Sequence, residues 1–179
     1  MKLFAAIVSL APAVYASLPG STFGITYNTT SSLIPPTGHL ALFNPASSPD
    51  AFTTISPTTP DLGAFFTVAG VSAVLHESCN INALAALVPP SPPIEGLKYA
   101  LQWTTAVSDL PSGSIETGFQ LGPSPTFDTL INTNVGPGFW GVSKLTDSDT
   151  YVVLKVGWSE DETAIPVTLV KAGTEFINC

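Results

Sequence analysis

The 179-residue chain contains no arginine and only five lysines, against thirteen aspartates and glutamates, so its formal net charge is −8. Proteins that bind nucleic acid need a basic surface that neutralises phosphates. Anionic lipid headgroups require the same kind of surface. The composition therefore argues against nucleic acid and against an anionic membrane surface as partners.

Side chains that commonly carry out catalysis are also scarce. The two histidines are His39 and His76, and His76-Glu77 lacks the second histidine of a zinc-protease helix. The sequence has no G-x-S-x-G nucleophile elbow. We therefore predict no catalytic residue, no metal and no cofactor. A glycosidase is the alternative enzyme class, because it needs only two carboxylates and sequence spacing does not exclude such a pair.

The sequence has two cysteines, Cys79 and Cys179. Whether they pair depends on the cellular compartment, which the N-terminal residues indicate. Residues 1–16 combine Lys2, a short apolar run and small residues before Ser17, which is typical of a secretory signal peptide. The apolar run is shorter than the roughly 20 residues of a membrane span. Cysteines usually pair in the oxidising secretory pathway. We expect a secreted protein, extracellular or cell-wall associated, with a Cys79–Cys179 disulfide.

Three further segments of the sequence carry predictions of a modification, a domain and a loop. Asn28-Thr29-Thr30 is an N-glycosylation acceptor sequence, so we expect a glycan on Asn28. Residues 17–179 are predicted to form a single domain, with the proline-rich residues 89–93 as a stiff connector between sheets. Residues 44–60, rich in serine, threonine and proline, are predicted to form a long exposed loop.

What the sequence has in abundance is alternation of apolar and polar residues in short runs, which predicts β-strands. The clearest run is residues 150–158, in which the even positions are predicted to face the core and Lys155 to face outward. We predict that it forms a hairpin with residues 163–171, which contain Pro166 and should therefore lie at a sheet edge or carry a bulge. Further strands are predicted at 22–27, 39–43, 64–69, 71–76, 97–105, 114–121, 126–131, 139–145 and 175–178.

This spacing predicts an all-β fold, an antiparallel β-sandwich of jelly-roll or immunoglobulin-like type. A closed β-barrel is the alternative, because alternation does not separate the two architectures. Residues 80–88 are rich in alanine and leucine and are predicted to form one short helix, with Asn80 or Asn82 as its N-cap.

Acidic residues cluster at Asp147 and Asp149 and again at residues 160–162. An extended strand between these clusters would hold them about 30 Å apart, so they are not expected to share an ion. Each cluster is predicted to be a solvated hairpin tip.

The aromatic residues suggest a binding surface. Trp103 and Trp158 lie on the apolar faces of their predicted strands and are assigned to the core. Trp140 follows a glycine-rich turn that is expected to present its ring to solvent, beside Phe139 and near Tyr151 of the next strand. Exposed aromatic faces of this kind stack against sugar rings. We therefore predict that Trp140, Tyr151 and Phe139 form a ligand-binding surface.

Together, these observations favour a secreted, non-catalytic protein that binds an extracellular glycan or cell wall, or a protein of another organism. One alternative is a small polysaccharide-acting hydrolase that uses two carboxylates. The other is a structural wall or coat protein with no discrete site. The sequence leaves the oligomeric state open.

Overall fold

The structure is a computed structural model that describes residues 22–43, 51–56, 63–69, 72–77, 83–122, 128–148 and 151–173. Within these residues the chain is nearly all antiparallel β-sheet, and the 3-10 turn Val107–Asp109 is the sole helical element. No helix in this part of the chain is both long and apolar enough to cross a membrane. The predicted signal peptide, the strand at 175–178 and both cysteines lie outside the described residues.

Thirteen strands form in the described residues. In chain order they are β1 (Phe23–Asn28), β2 (Thr37–Phe43), β3 (Ala51–Ser56), β4 (Gly63–Ala69), β5 (Ser72–Glu77), β6 (Leu84–Val88), β7 (Tyr99–Thr104), β8 (Phe119–Gly122), β9 (Thr129–Asn132), β10 (Phe139–Ser148), β11 (Tyr151–Ser159), β12 (Ile165–Pro166) and β13 (Thr168–Ala172).

The strands form one continuous sheet that curves into a nearly closed barrel of ten strands. Within this sheet, one circuit of pairing passes through seven strands, from β1 through β2, β3, β7, β6, β5 and β4 and back to β1. Three of these junctions are short in the described residues, since β1–β4 and β3–β7 each join through two residue pairs and β5–β6 joins through one. The all-β prediction is confirmed, and the barrel describes this sheet better than the two-layer sandwich.

The core of the barrel is rich in aromatic residues. Trp103, Tyr27, Phe23 and Phe119 are its largest fully buried side chains. The indole nitrogen of Trp103 donates a hydrogen bond of 2.8 Å to the hydroxyl of Thr53, which is also buried. The predicted core positions of Trp103 and Trp158 are confirmed.

The prediction of a helix at residues 80–88 is wrong, because Leu84–Val88 forms strand β6. This strand pairs with β7 along its whole length, and Ala85, Ala86 and Leu87 are completely buried. A short apolar run without a polar face suits a strand that is covered on both sides. Residues 89–93 therefore connect two neighbouring antiparallel strands and do not cross between sheets. Asn80 and Asn82 lie outside the described residues.

Two further expectations are corrected by the pairing. The predicted loop at 44–60 contains β3, and its other residues lie outside the described ones.

The predicted hairpin between 150–158 and 163–171 does not form, because β11 pairs with β10. Strand β12 lies on the other edge of β10, and β13 pairs with β1. Only two positions of the sequence separate β10 from β11, and short separations favour hairpin pairing. Pro166 lies at the edge of the sheet as predicted.

The hydroxyl of Tyr27 is an unsatisfied polar group inside this core. Tyr27 is 0% exposed, and its hydroxyl oxygen has no hydrogen-bond partner among the described residues. The ring lies against Gly38, its partner on β2, where an added Cβ would be 2.7 Å from the Tyr27 Cε1 atom. Burying a hydroxyl without a hydrogen bond costs about 1–3 kcal/mol.

We expect Tyr27→Phe to raise the free energy of unfolding by about 1–2 kcal/mol, because it removes the unpaired hydroxyl and keeps the ring. Urea unfolding of the two proteins measures this difference. Gly38→Ala is the matched control and should be strongly destabilising, because its Cβ would also lie 2.8 Å from the carbonyl oxygen of Ser56. A loss of stability in Tyr27→Phe would contradict the prediction and indicate a partner for the hydroxyl.

Tyr27 should also make stability depend on alkaline pH. Desolvation by burial raises the pKa of its hydroxyl above the ordinary value of 10.0. Above that pH the unfolded chain loses the proton first, so the free energy of unfolding should fall as pH rises toward the raised value in the folded state. We expect Tyr27→Phe to show a shallower fall in urea-unfolding free energy above pH 10.0. Identical slopes for the two proteins would contradict this assignment.

Candidate functional site

The glycine-rich turn before β10 buries Trp140 instead of presenting it to solvent. Trp140 is 4% exposed, and its indole nitrogen donates a hydrogen bond of 2.7 Å to the carbonyl oxygen of Leu130 on β9. Its ring meets that of Trp158 edge-on, with centroids 5.3 Å apart. The expectation of a solvent-presented ring is therefore wrong. The reason is that Gly138 lets the turn pack directly against Trp158.

The three residues predicted to form a ligand-binding surface are not brought together. Phe139 is half-buried and packs against a small apolar cluster outside the main core. Trp140 pairs with Trp158 at one end of the β10–β11 hairpin, and Tyr151 pairs with Ser148 at the other end. Seven residues of strand separate Tyr151 from Trp158, which corresponds to about 23 Å. The two strands do pair, but their register places these residues at opposite ends.

The other residues singled out from the sequence lie on separate elements of the fold. Asn28 is exposed at the end of β1, and the half-buried His39 and His76 lie on β2 and β5. Glu160 and its neighbours form an exposed turn, as predicted for a solvated tip, but this turn joins β11 to β12. Within the residues that the structure describes, no group of three histidine, cysteine, aspartate or glutamate side chains is placed to hold a metal ion.

A groove is formed by two loops at one end of the barrel. The first loop, residues 94–98, precedes β7, and the second, residues 160–164, follows β11. The groove has a volume of about 760 Å³ and is open to solvent; its lining residues are Gly96, Leu97, Lys98, Glu160, Asp161 and Glu162. This volume lies within the range of ligand-binding clefts. We refer to it as the loop groove.

Local hydrogen bonds fix the loop after β11. The hydroxyl of Ser159 accepts a bond of 2.9 Å from the backbone nitrogen of Asp161. The carboxylate of Asp161 accepts one of 2.9 Å from the nitrogen of Thr163, and the Asp161 carbonyl accepts one of 3.2 Å from Ala164. The acidic run is therefore an ordered turn in which the Asp161 carboxylate is already engaged.

The loop before β7 is fixed by bonds to three parts of the chain. The nitrogen of Leu97 donates 3.1 Å to the carbonyl of Ile94, and the nitrogen of Lys98 donates 2.9 Å to the carbonyl of Trp158. The hydroxyl of Ser143 donates to the carbonyl of Glu95. Both walls of the loop groove are thus held before any partner arrives, which lowers the ordering cost of binding.

The two loops meet at Gly96 and at one ion pair. An added Cβ at Gly96, whose φ is +76°, would lie 2.8 Å from the nitrogen of Ala164. The ammonium of Lys98 lies 2.6 Å from a carboxylate oxygen of Glu160. The hydrogen bond to Glu160 raises the pKa of Lys98 above its ordinary 10.5, so the ammonium stays charged at neutral pH. Both side chains are 44% exposed, so solvent screens the pair.

A small apolar cluster lies beside the loop groove, and Leu97 is its member that lines the groove. Leu97 and Ala164 are buried there with Ile94 and Ala100, and Phe139 packs against them. They lie on the outer face of the barrel wall, and Gly141 makes room for them, since an added Cβ would be 2.9 Å from that of Ala164. The four buried side chains of this cluster support the two loops and expose almost no apolar area to solvent.

Exposed charge is concentrated around the loop groove. In the described part of the chain, the exposed charged residues on these loops are Glu95, Lys98, Glu160, Asp161 and Glu162, while Asp109 and Lys144 lie elsewhere. The two loops therefore carry four exposed carboxylates and one exposed ammonium. Such a concentration of one sign raises the local concentration of oppositely charged partners.

The sequence indicated one of the two loops that form this site. Residues 160–162 were visible as an acidic run, but Lys98 carries no local signal, because it lies 62 residues from Glu160. Lys155 was predicted to face outward and does lie off the core, yet it is only 8% exposed and its ammonium sits 3.6 Å from the Phe52 ring centroid. Both placements depend on strand pairing that alternation does not encode.

The chain matches no protein-family model, and comparisons with characterised proteins and with solved structures give no significant match.

The glycine-rich turn provides a matched pair of substitutions. At Gly138, with φ +146°, an added Cβ would overlap the indole of Trp158 and lie 2.5 Å from the Ser159 carbonyl oxygen. At Gly136, with φ +80°, nothing lies within 4 Å. We expect Gly138→Ala to lower the free energy of unfolding by more than about 3 kcal/mol and Gly136→Ala by about 1–2 kcal/mol.

Urea unfolding measures both losses, and near-ultraviolet circular dichroism reports the packing of Trp140 against Trp158. Gly138→Ala should weaken that spectrum, whereas Gly136→Ala should leave it unchanged. Equal losses of stability would show that the turn does not pack on Trp158 as described.

Proposed function

We propose that this chain is a secreted, non-catalytic protein that binds a protein partner bearing a basic segment, and that the loop groove is its binding site. The observation that carries the proposal is the gathering of exposed charge on the two hydrogen-bonded loops that form the groove. Secretion, with the Cys79–Cys179 disulfide, remains part of this proposal and is motivated by the N-terminal sequence.

The placement of the aromatic residues supports a protein partner over a glycan. Glycan recognition through stacking needs aromatic faces in solvent, but Trp103, Trp140 and Trp158 are all buried. Three carboxylates and one ammonium line the loop groove, and Glu95 adds a fourth exposed carboxylate on one of its loops, which favours a cationic partner. Glu160 already forms an ion pair with Lys98, and the carboxylate of Asp161 already accepts a hydrogen bond from the nitrogen of Thr163. Glu162 lines the groove, has no ion-pair partner among the described residues and is therefore available to an incoming cation.

The test measures binding of the secreted protein to a synthetic lysine–alanine peptide and to its glutamate–alanine counterpart by isothermal titration calorimetry. We expect the lysine peptide to bind and the glutamate peptide not to bind, with an affinity that falls as salt is added. Glu162→Gln should weaken binding by up to about fivefold, the effect of losing one exposed charge pair.

Asp109→Asn is the matched control, because it removes an exposed carboxylate that lies away from the loop groove. Equal losses in the two variants would assign binding to the overall negative charge and overturn the groove. Retention on insoluble chitin, β-glucan or cellulose would favour the glycan interpretation. Release of reducing sugar from those polymers would favour the hydrolase alternative, and failure to wash from wall preparations would favour a structural wall protein.

A further inference from the structure

The loop between β1 and β2, residues 29–36, presents an exposed apolar side chain close to a modification motif. Leu33 is 72% exposed and is the exposed large hydrophobic residue of the described chain. Pro35 and Pro36 beside it are also exposed. Asn28, at the end of β1, begins the acceptor sequence Asn28-Thr29-Thr30. A single exposed leucine is common on protein surfaces, and this one is distinguished by its place five residues after the acceptor asparagine.

The two threonines of this motif have different roles in the fold. The hydroxyl of Thr29 donates 2.7 Å to the carbonyl of Pro166 and accepts 3.1 Å from the nitrogen of Ser31. Thr30 is exposed, and neither its hydroxyl nor the side-chain amide of Asn28 bonds to any residue that the structure describes. N-glycosylation requires the asparagine and the hydroxyl two positions later. The fold leaves those two groups free and uses the hydroxyl between them.

The surroundings of Asn28 leave room for a glycan. Tyr27 points into the core, so Asn28 points outward by the alternation of the strand. It pairs with Thr168 on β13 and with Thr37 on β2, and both threonines are exposed. An oligosaccharide at this position would meet small polar side chains and displace no packed group.

We propose that Asn28 carries an N-linked glycan and that this glycan covers Leu33; the inference rests on the secretory route proposed above. In the transfer, the Asn28 side-chain nitrogen forms a bond to the anomeric carbon of an oligosaccharide and loses one proton. The bond from that carbon to the oxygen of a lipid-diphosphate donor breaks, and the lipid diphosphate leaves. The step needs no oxidant or reductant.

Hydrogen bonds of the loop hold Leu33 within reach of Asn28. The nitrogen of Thr29 donates 2.9 Å to the carbonyl of Pro36, which closes the base of the loop beside Asn28. The nitrogen of Leu33 donates 3.2 Å to the Ser31 hydroxyl. Five residues of extended chain span about 17 Å, and a closed loop spans less, so a glycan of several rings reaches Leu33. The apolar faces of its rings then replace water around the leucine side chain.

Expression of the full chain in an N-glycosylating yeast tests the modification, with intact mass measured before and after enzymatic removal of N-glycans. We expect the mass to fall by one glycan in the wild type and in Thr30→Ser, and no such change in Asn28→Gln or Thr30→Ala. A secreted protein without the mass change overturns this inference. A chain retained inside the cells contradicts the proposed secretion, which is a different failure.

Hydrophobic-interaction chromatography tests the covering of Leu33. We expect Leu33→Ser to shorten the retention of the unglycosylated Asn28→Gln protein markedly and to change that of the glycosylated wild type little. The same shortening in both backgrounds would show that the glycan leaves Leu33 in water and would overturn that part of the proposal.

Discussion

The close approach of β7 to β11 at Gly157 fixes the end of the barrel that carries the loop groove. An added Cβ on Gly157 would overlap the carbonyl oxygen of Tyr99 and lie 3.0 Å from the Cα atom of Ala100, so only glycine permits this approach. The pairing of Gly157 with Ala100 and of Trp158 with Tyr99 ends where the two loops begin. Backbone pairing therefore positions the groove, since an exposed ion pair of the kind that joins its loops contributes less than about 1 kcal/mol.

Closure of the sheet also determines what the aromatic residues do. The indole nitrogens of Trp103, Trp140 and Trp158 each donate to an oxygen of the protein, at 2.8, 2.7 and 3.4 Å. A buried indole whose single donor is satisfied is stable where it is and has no polar group left for a ligand. The large apolar side chains are consequently used for stability. Charge and backbone shape are then the means of recognition that remain at the loop end.

The sequence predicted most strands because a period of two is a local property that each segment displays by itself. It failed where the outcome depends on distant segments. Leu84–Val88 has a composition typical of a helix and became a strand because β7 satisfies its backbone and the core covers it. The β3 strand was hidden in a serine- and threonine-rich stretch, and the partner of β11 was misassigned. Half of the groove was visible as an acidic run, but Lys98 comes to Glu160 only through the pairing of β7 with β11.

The Asn28 motif is hydrogen-bonded to the segment that follows one loop of the groove, which under the two proposals would restrict how a partner approaches. Pro166 follows the groove loop at residues 160–164, and its carbonyl accepts the hydroxyl of Thr29. The loop that carries Leu33 is thereby tied next to one wall of the groove. Under both proposals, a glycan on Asn28 would lie near this tie and leave the wall formed by residues 94–98 as the side open to the proposed partner. A narrow basic segment satisfies that restriction, whereas a broad flat surface would meet the glycan first.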